Sequence, residues 1–143
     1  MALTEVLFQI ANSMALAGWI ALLASPLIPV WADRIAGTII PLLLSVAYAG
    51  LILAFWSRAE GGFDTLTNVQ RLFEMPEAAL AGWLHFLAFD LFVGAWIVRK
   101  ARAERMSYWL MLPCLPLTFM FGPAGYLAFS CFRLATSARK ASA

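Results

Sequence analysis

Charged side chains are scarce in this sequence: Asp, Glu, Lys and Arg together make up 13% of its 143 residues. A soluble domain of ordinary composition carries about 25% charged residues, which cover its surface. The shortage excludes a soluble enzyme, because the 63% of residues that are hydrophobic could not all be withdrawn from water. We therefore expect membrane lipid to be the main solvent. The formal net charge of +2 is also too small to indicate a nucleic-acid partner.

Residues that usually hold metals or form disulfides are rare as well. The chain has one histidine, His85, and its two cysteines lack a Cys-x-x-Cys spacing. Cys114 and Cys131 lie in one apolar segment, separated by about 25 Å on a continuous helix, so they cannot pair unless that helix is broken. No phosphate-binding loop and no Gly-x-Ser-x-Gly motif occurs. We expect no metal and no cofactor.

Long stretches without charge divide the chain into membrane-crossing segments. Four stretches are free, or almost free, of charged residues, and each reaches the ~20 residues that cross a bilayer as a helix. His85 and Asp90 are the polar exceptions, both in the third stretch. We predict an all-α fold, a four-helix transmembrane bundle that forms one integral membrane domain over residues 1–143. The predicted helices cover about residues 6–30, 37–56, 78–98 and 107–132.

A long loop and a short tail account for the remaining residues. The loop, residues 57–77, is predicted to lie at the membrane interface, with a turn at Gly61 and Gly62. After the turn, Asp64 is placed to cap a short helix whose apolar stripe suits a membrane surface, formed by Leu66, Val69 and Phe73. This loop is either a structured connector or a lid over a site between the helices. Residues 133–143 form a basic tail.

The distribution of basic residues leaves the orientation open. With four crossings, five basic residues would lie on each side of the membrane. Glu5 before the first helix and Arg34 after it favour an outside N-terminus and an inside loop at residues 99–105. No basic residue precedes the first helix, so we do not expect a cleaved signal peptide. The short chain with its basic tail looks bacterial, which points to a bacterial inner membrane.

Three prolines fall in the fourth predicted helix. Pro113, Pro116 and Pro123, together with Gly122 and Gly125, predict that this helix is broken. Each proline removes a backbone donor and frees a carbonyl group, which a bilayer tolerates only where protein or water satisfies it. Broken helices often line binding cavities, and a kinked packing helix is the plain alternative.

His85 and Asp90 lie close to the expected midplane of the bilayer. Ionisable residues at that depth usually face the bundle interior and often take part in chemistry or transport. Five positions rotate the two side chains by about 140°, so they are not neighbours on one helix face, although they could flank one cavity. In a structural role, His85 would bond to a carbonyl of the broken helix, and Asp90 would pair with an arginine or with a hydroxyl such as that of Tyr48 or Thr118. The alternative is an acid/base pair in an apolar cavity.

Several strings in the second half of the chain resemble a known family. They are Trp-Leu-His-Phe-Leu-Ala-Phe-Asp-Leu-Phe at residues 83–92, the Gly61–Gly62 pair, Arg-Leu-Phe at 71–73, and the Pro/Gly-rich run from Leu112 to Gly125. These strings resemble the small membrane proteins related to the plant abscisic-acid-deficient protein implicated in neoxanthin synthesis. The resemblance covers residues 61–127, and the first two helices match in hydropathy alone. It implies a four-helix membrane protein that converts a xanthophyll epoxide to an allene.

That implied reaction suggests roles for particular residues. Opening an epoxide to an allenic alcohol needs one proton delivered to the oxygen and one removed from the neighbouring polyene carbon. His85 and Asp90 are therefore the candidate catalytic residues. We expect the carotenoid to lie in an apolar cavity between the third and fourth helices, bounded by His85, Asp90 and residues 118–123 and covered by residues 61–73. The candidate substrate-binding residues are Trp83, Phe86, Phe89, Phe92, Thr118 and Phe119.

Two other functions fit the same residues. One is a non-enzymatic pigment-binding or assembly subunit, in which case the partner is a second copy of the chain or a membrane complex. The other is a small proton-coupled transporter, because Asp90 lies at mid-membrane near a broken helix.

Overall fold

The computed structural model describes residues 2–141, with the side chains of residues 2–137, and this part of the chain is helical without strands. Three of its helices are long and apolar enough to cross a membrane, which confirms three of the predicted apolar helices. They are α1 (Leu3–Leu23), the continuous stretch Pro29–Arg58, and α5 (Pro76–Ala103). The middle stretch consists of α2 (Pro29–Arg34), a π-helical turn (Ile35–Ile39), α3 (Ile40–Phe55) and a 3₁₀ turn (Trp56–Arg58).

Prolines determine where several of these helices begin or end. α1 ends at Leu23, earlier than the predicted residue 30, because Pro26 and Pro29 follow. Pro29 and Pro76 each occupy the first position of a helix, where a missing N–H group costs nothing. The π-helical turn precedes Pro41, and its wider hydrogen-bonding pattern suits a position where the α-helical donor is absent.

α5 is the central helix of the bundle. In the most apolar 18-residue stretch of α5, 56% of the residues are buried, against 33% in the corresponding stretch of α1. Small residues bring the neighbouring helices close to it. A methyl group on Gly94 would lie 2.7 Å from the Trp19 ring, and one on Gly18 would lie 2.5 Å from Leu91. The two helices therefore pack in direct contact.

The connection between α3 and α5 contains the short helix α4 (Leu66–Phe73). Its N-cap is Thr65, which accepts a 3.2 Å hydrogen bond from the Asn68 backbone, and not the predicted Asp64. Leu72 is buried beside Phe55, while Leu66 is 74% exposed. α4 thus packs on the first turns of α5, at the end of the bundle opposite Ala103. α4 therefore does not cover the fourth segment, as the lid hypothesis required.

The fourth apolar segment is broken as the prolines predicted. It forms α6 (Tyr108–Met111), α7 (Cys114–Phe121) and α8 (Pro123–Ala141). Pro113 stands just before α7, and Pro123 opens α8. Pro116 is tolerated because it lies in the first turn of α7, where its missing donor has no helical partner to lose.

This segment also reverses direction at Gly122, so residues 108–141 form what we call the re-entrant hairpin. α8 runs back along α7 so closely that a methyl group on Gly125 would lie 2.6 Å from the Thr118 Cα. At the start of the hairpin, the Tyr108 hydroxyl donates to the Leu23 carbonyl at 2.8 Å.

Both arms of the re-entrant hairpin therefore end beside the last turn of α5. Arg133 of α8 pairs with Glu104, the residue just after α5, at 2.5 Å. The predicted fourth crossing at residues 107–132 is not confirmed. With 8 residues, α7 is only about 12 Å long and cannot reach the far side of a bilayer.

Candidate functional site

Asp90 lies at the tip of the re-entrant hairpin. Its side chain is 8% exposed, and its carboxyl carbon would be 2.9 Å from a methyl group on Gly122. Within the described part of the chain, its Oδ2 atom has no hydrogen-bond partner. The prediction that Asp90 points into the bundle is confirmed, and the partner expected for it is missing.

The depth of Asp90 follows from its place in α5. It is the fifteenth of 28 residues, about 20 Å of helix from either end. A carboxyl group at mid-membrane without a partner is costly, so residues of this kind are usually functional.

The N-terminus of α8 adjoins Asp90, because Gly122, the residue just before that helix, lies against the carboxyl group. Gly122 and Pro123 open that helix, and the positive end of a helix dipole stabilises a neighbouring carboxylate. Thr118 is fully buried beside them, but its hydroxyl donates to the Cys114 carbonyl at 2.7 Å. The expected hydrogen bond between Thr118 and Asp90 is therefore absent.

His85 does not share a cavity with Asp90. Its side chain is exposed on the outer surface between α3 and α5, and the prediction that it points into the bundle is wrong. The imidazole ring stacks on Phe89 at 4.7 Å and packs against Tyr48 at 5.8 Å between ring centroids. The 140° rotation between positions 85 and 90 places the two side chains against different neighbouring elements.

The predicted substrate-binding aromatics are distributed over separate surfaces. Trp83 donates from Nε1 to Asn12 at 3.1 Å, which helps to hold α1 on α5, and its ring stacks on Phe86 of the same helix. Phe89 and Phe92 line a membrane-facing groove of about 320 Å³ between α3 and α5. Sequence reasoning missed Asn12, whose only signal was a polar residue inside an apolar helix.

A second groove of about 460 Å³ runs between α1 and the re-entrant hairpin. Its α1 wall contains Leu16, Trp19 and Ile20, and Phe119 of α7 lies on the other side with its ring 5.6 Å from Trp19. Trp19 also packs on Gly94, one helical turn from Asp90. Asp90 does not line this groove, and Trp19 connects the groove to the turn of α5 that follows Asp90.

The cavity predicted between α5 and the fourth segment is filled. The inward-facing side chains of the fourth segment are at most 1% exposed there: Leu115, Thr118 and Phe129. The groove lies instead on the α1 side of the hairpin, which sequence reasoning did not consider because α1 is remote from residues 107–132.

Two acidic residues near the end of α5, Asp33 and Glu104, are engaged in ion pairs. Asp33 accepts a 2.7 Å hydrogen bond from Arg99, and Glu104 pairs with both Arg133 and Lys100. The hydrogen bond from Arg133 holds the pKa of Glu104 down to about 2. No group of three or more His, Cys, Asp or Glu side chains within residues 2–137 is arranged to hold a metal ion. Cys114 and Cys131 are both free, the first buried and the second exposed.

Comparison with known proteins gives one match. The family model described as ABA DEFICIENT 4-like matches residues 6–129, which include Asp90 and Gly122. No curated protein and no solved structure matches the chain.

Proposed function

We propose, because the chain belongs to the ABA DEFICIENT 4-like family, that it is a membrane-embedded enzyme that modifies a carotenoid. The observation that carries the proposal is the buried Asp90 carboxyl, which has an unpartnered oxygen and lies one helical turn before Gly94, where Trp19 of the apolar groove packs. A carotenoid is a long apolar molecule that dissolves in the bilayer, so a groove open to lipid suits its delivery. Phe119 and Trp19 are the aromatic side chains placed to contact it there.

The reaction that we propose is the isomerisation of a xanthophyll epoxide to an allenic alcohol. The carbon–oxygen bond of the epoxide opens, and its oxygen gains a proton. The neighbouring polyene carbon loses a proton, and that electron pair forms the second double bond of the allene. The product has the same atoms as the substrate, so no oxidant, reductant or net proton is required.

Asp90 can serve both proton transfers. As the acid it delivers a proton to the epoxide oxygen, and as the resulting carboxylate it removes the proton from carbon, which restores the acid. The N-terminus of α8 stabilises the carboxylate stage. His85 belongs to a different surface, so this mechanism assigns it no proton transfer.

The experiment is to express the protein in a host that accumulates an epoxy xanthophyll and to measure conversion of that pigment by chromatography and mass spectrometry. We expect the wild-type protein to give an allenic product of unchanged mass. Asp90→Asn keeps the shape of the side chain but loses the acid, so conversion should fall at least about 100-fold. His85→Gln is the matched control and should keep most of the conversion.

Three results would argue against the proposal. Full conversion by Asp90→Asn would exclude Asp90 as the acid. Loss of folded protein in both Asp90→Asn and Asp90→Ala would indicate a structural role. Unchanged pigment from a wild-type protein that carries bound carotenoid would favour a pigment-binding subunit, with a second copy or a membrane complex as partner.

Proton-coupled transport is the second candidate function. It is favoured by two half-helices, α7 and α8, which meet at mid-membrane beside a carboxyl group, as they do in many transporters. Proton flux in proteoliposomes that depends on Asp90, without any change in pigment, would support it. For either function we place the protein in a bacterial inner membrane.

A further inference from the structure

The two ends of the bundle differ sharply in charge. The end where α5 finishes, which we call the basic end, carries eight Lys and Arg residues and two acidic residues, a formal net charge of +6. The opposite end, which we call the acidic end, carries two Arg and five acidic residues, a net charge of −3. The basic residues of the basic end are Arg34, Arg99, Lys100, Arg102, Arg105, Arg133, Arg139 and Lys140.

The re-entrant hairpin produces this separation. Had residues 107–132 crossed the membrane, the tail would lie at the other end and each end would carry five basic residues. Because α8 turns back, Arg133 reaches Glu104 at the basic end, and the last residues of α8 follow it.

Three arginines at the basic end keep a positive charge without an acidic partner. Asp33 is used by Arg99, and Glu104 is used by Arg133 and Lys100. Arg102 and Arg105 are exposed, and neither has an ion-pair partner among the described side chains. The Arg34 guanidinium lies over the Trp31 ring at 5.7 Å.

Exposed tryptophans mark the membrane interface at the same end. Trp31 is 58% exposed and Trp109 is 77% exposed, and aromatic residues of this kind lie at the level of lipid headgroups. A groove of about 270 Å³ opens there between α2, α5 and α6, with Arg102 and Tyr108 on its walls. Its other walls are mostly apolar, as the border between headgroups and acyl chains requires.

We infer that the basic end is a docking surface for anionic phospholipids, whose phosphate groups bind Arg102 and Arg105. Charge complementarity favours this partner, because an anionic headgroup is attracted to the net positive charge of the basic end and a zwitterionic headgroup has no net charge. The inference uses neither Asp90 nor the carotenoid proposal.

The test is retention of phospholipid by the full-length protein purified from nanodiscs that contain equal amounts of phosphatidylglycerol and phosphatidylcholine, counted by native mass spectrometry. We expect the wild-type protein to retain phosphatidylglycerol in preference. Each arginine contributes roughly a fivefold preference near a membrane surface. Arg102→Gln combined with Arg105→Gln should therefore lower the preference by about 25-fold.

The matched control is Arg58→Gln combined with Arg71→Gln, which removes the same charge from the acidic end. It should leave the preference unchanged. Equal retention of both lipids by the wild-type protein, or equal losses in the two double variants, would overturn the inference. Displacement of the lipid by millimolar inorganic phosphate would show a free-phosphate site and would also overturn it.

Discussion

At the scale of single residues, Gly122 is a position where both the backbone conformation and the available space require glycine. Its φ angle is +24°, a conformation that L-residues rarely adopt. The space where its side chain would begin is occupied by the Asp90 carboxyl, with the carboxyl carbon 2.9 Å away. A residue with a Cβ would therefore strain the turn and displace the candidate catalytic group at once.

We predict that Gly122→Ala destabilises the protein by at least about 1–2 kcal/mol, the cost of a left-handed conformation. Chemical unfolding in detergent, followed by circular dichroism, measures this change. Gly50→Ala is the control, because a methyl group at Gly50 would have no heavy atom within 4 Å. Alanine there should leave stability unchanged or raise it by up to about 1 kcal/mol. Equal stability of the two variants would mean that the turn at residue 122 is free to relax.

At the scale of elements, the re-entrant hairpin is held at both of its ends. Gly122 contacts Asp90 at the tip, and Arg133 pairs with Glu104 at the mouth. The pKa of Glu104 is lowered from 4.5 to about 2, with the hydrogen bond from Arg133 as the largest cause. Folding therefore favours the ionised carboxylate, and acid should weaken the mouth of the hairpin before it weakens the crossing helices.

The sign of this effect gives a prediction. Because the pKa of Glu104 is lower in the folded state, its contribution to stability is complete above about pH 4.5 and is lost as the pH falls towards 2. We expect the thermal unfolding midpoint in detergent to decrease over that range, and Glu104→Gln to remove this part of the decrease. Glu77→Gln, at the other end of α5, should keep the wild-type profile. A Glu104→Gln profile that coincides with the wild-type profile would mean that the ion pair does not anchor the hairpin.

At the scale of the whole molecule, three crossings would place the start of α1 and the end of α8 on opposite sides of the membrane. α1 begins at the acidic end, and α8 finishes at the basic end. The basic end carries eight basic residues and the acidic end carries two, so the positive-inside rule predicts an orientation. We expect the basic end in the cytoplasm and the N-terminus outside, the orientation that the flanks of the first helix also favour.

Cysteine labelling tests this arrangement in cells. In a Cys131→Ser background, Thr67→Cys should react with an impermeant maleimide on intact cells. Ser107→Cys and Ser137→Cys, before and after the turn of the re-entrant hairpin, should react only after lysis. Buried Cys114 provides the baseline. Labelling of Ser107→Cys and Ser137→Cys on opposite sides would show that the fourth segment crosses the membrane.

The sequence by itself determined the membrane class, three helices long enough to cross a bilayer, the breaks near Pro113 and Pro123, and the inward position of Asp90. These follow from local properties: the length of an apolar run, the missing proline donor, and the cost of a charge in lipid. The family resemblance also came from local strings, and the family match over residues 6–129 supports it.

Only the tertiary structure decided the path of the fourth segment and the surroundings of His85. Hydropathy reports how long an apolar run is, and a long run can cross once or enter and return. The choice depends on contacts between distant positions, Gly122 with Asp90 and Arg133 with Glu104. Helical periodicity likewise separates His85 from Asp90 by an angle, but the position of α3 decides which face of α5 is covered.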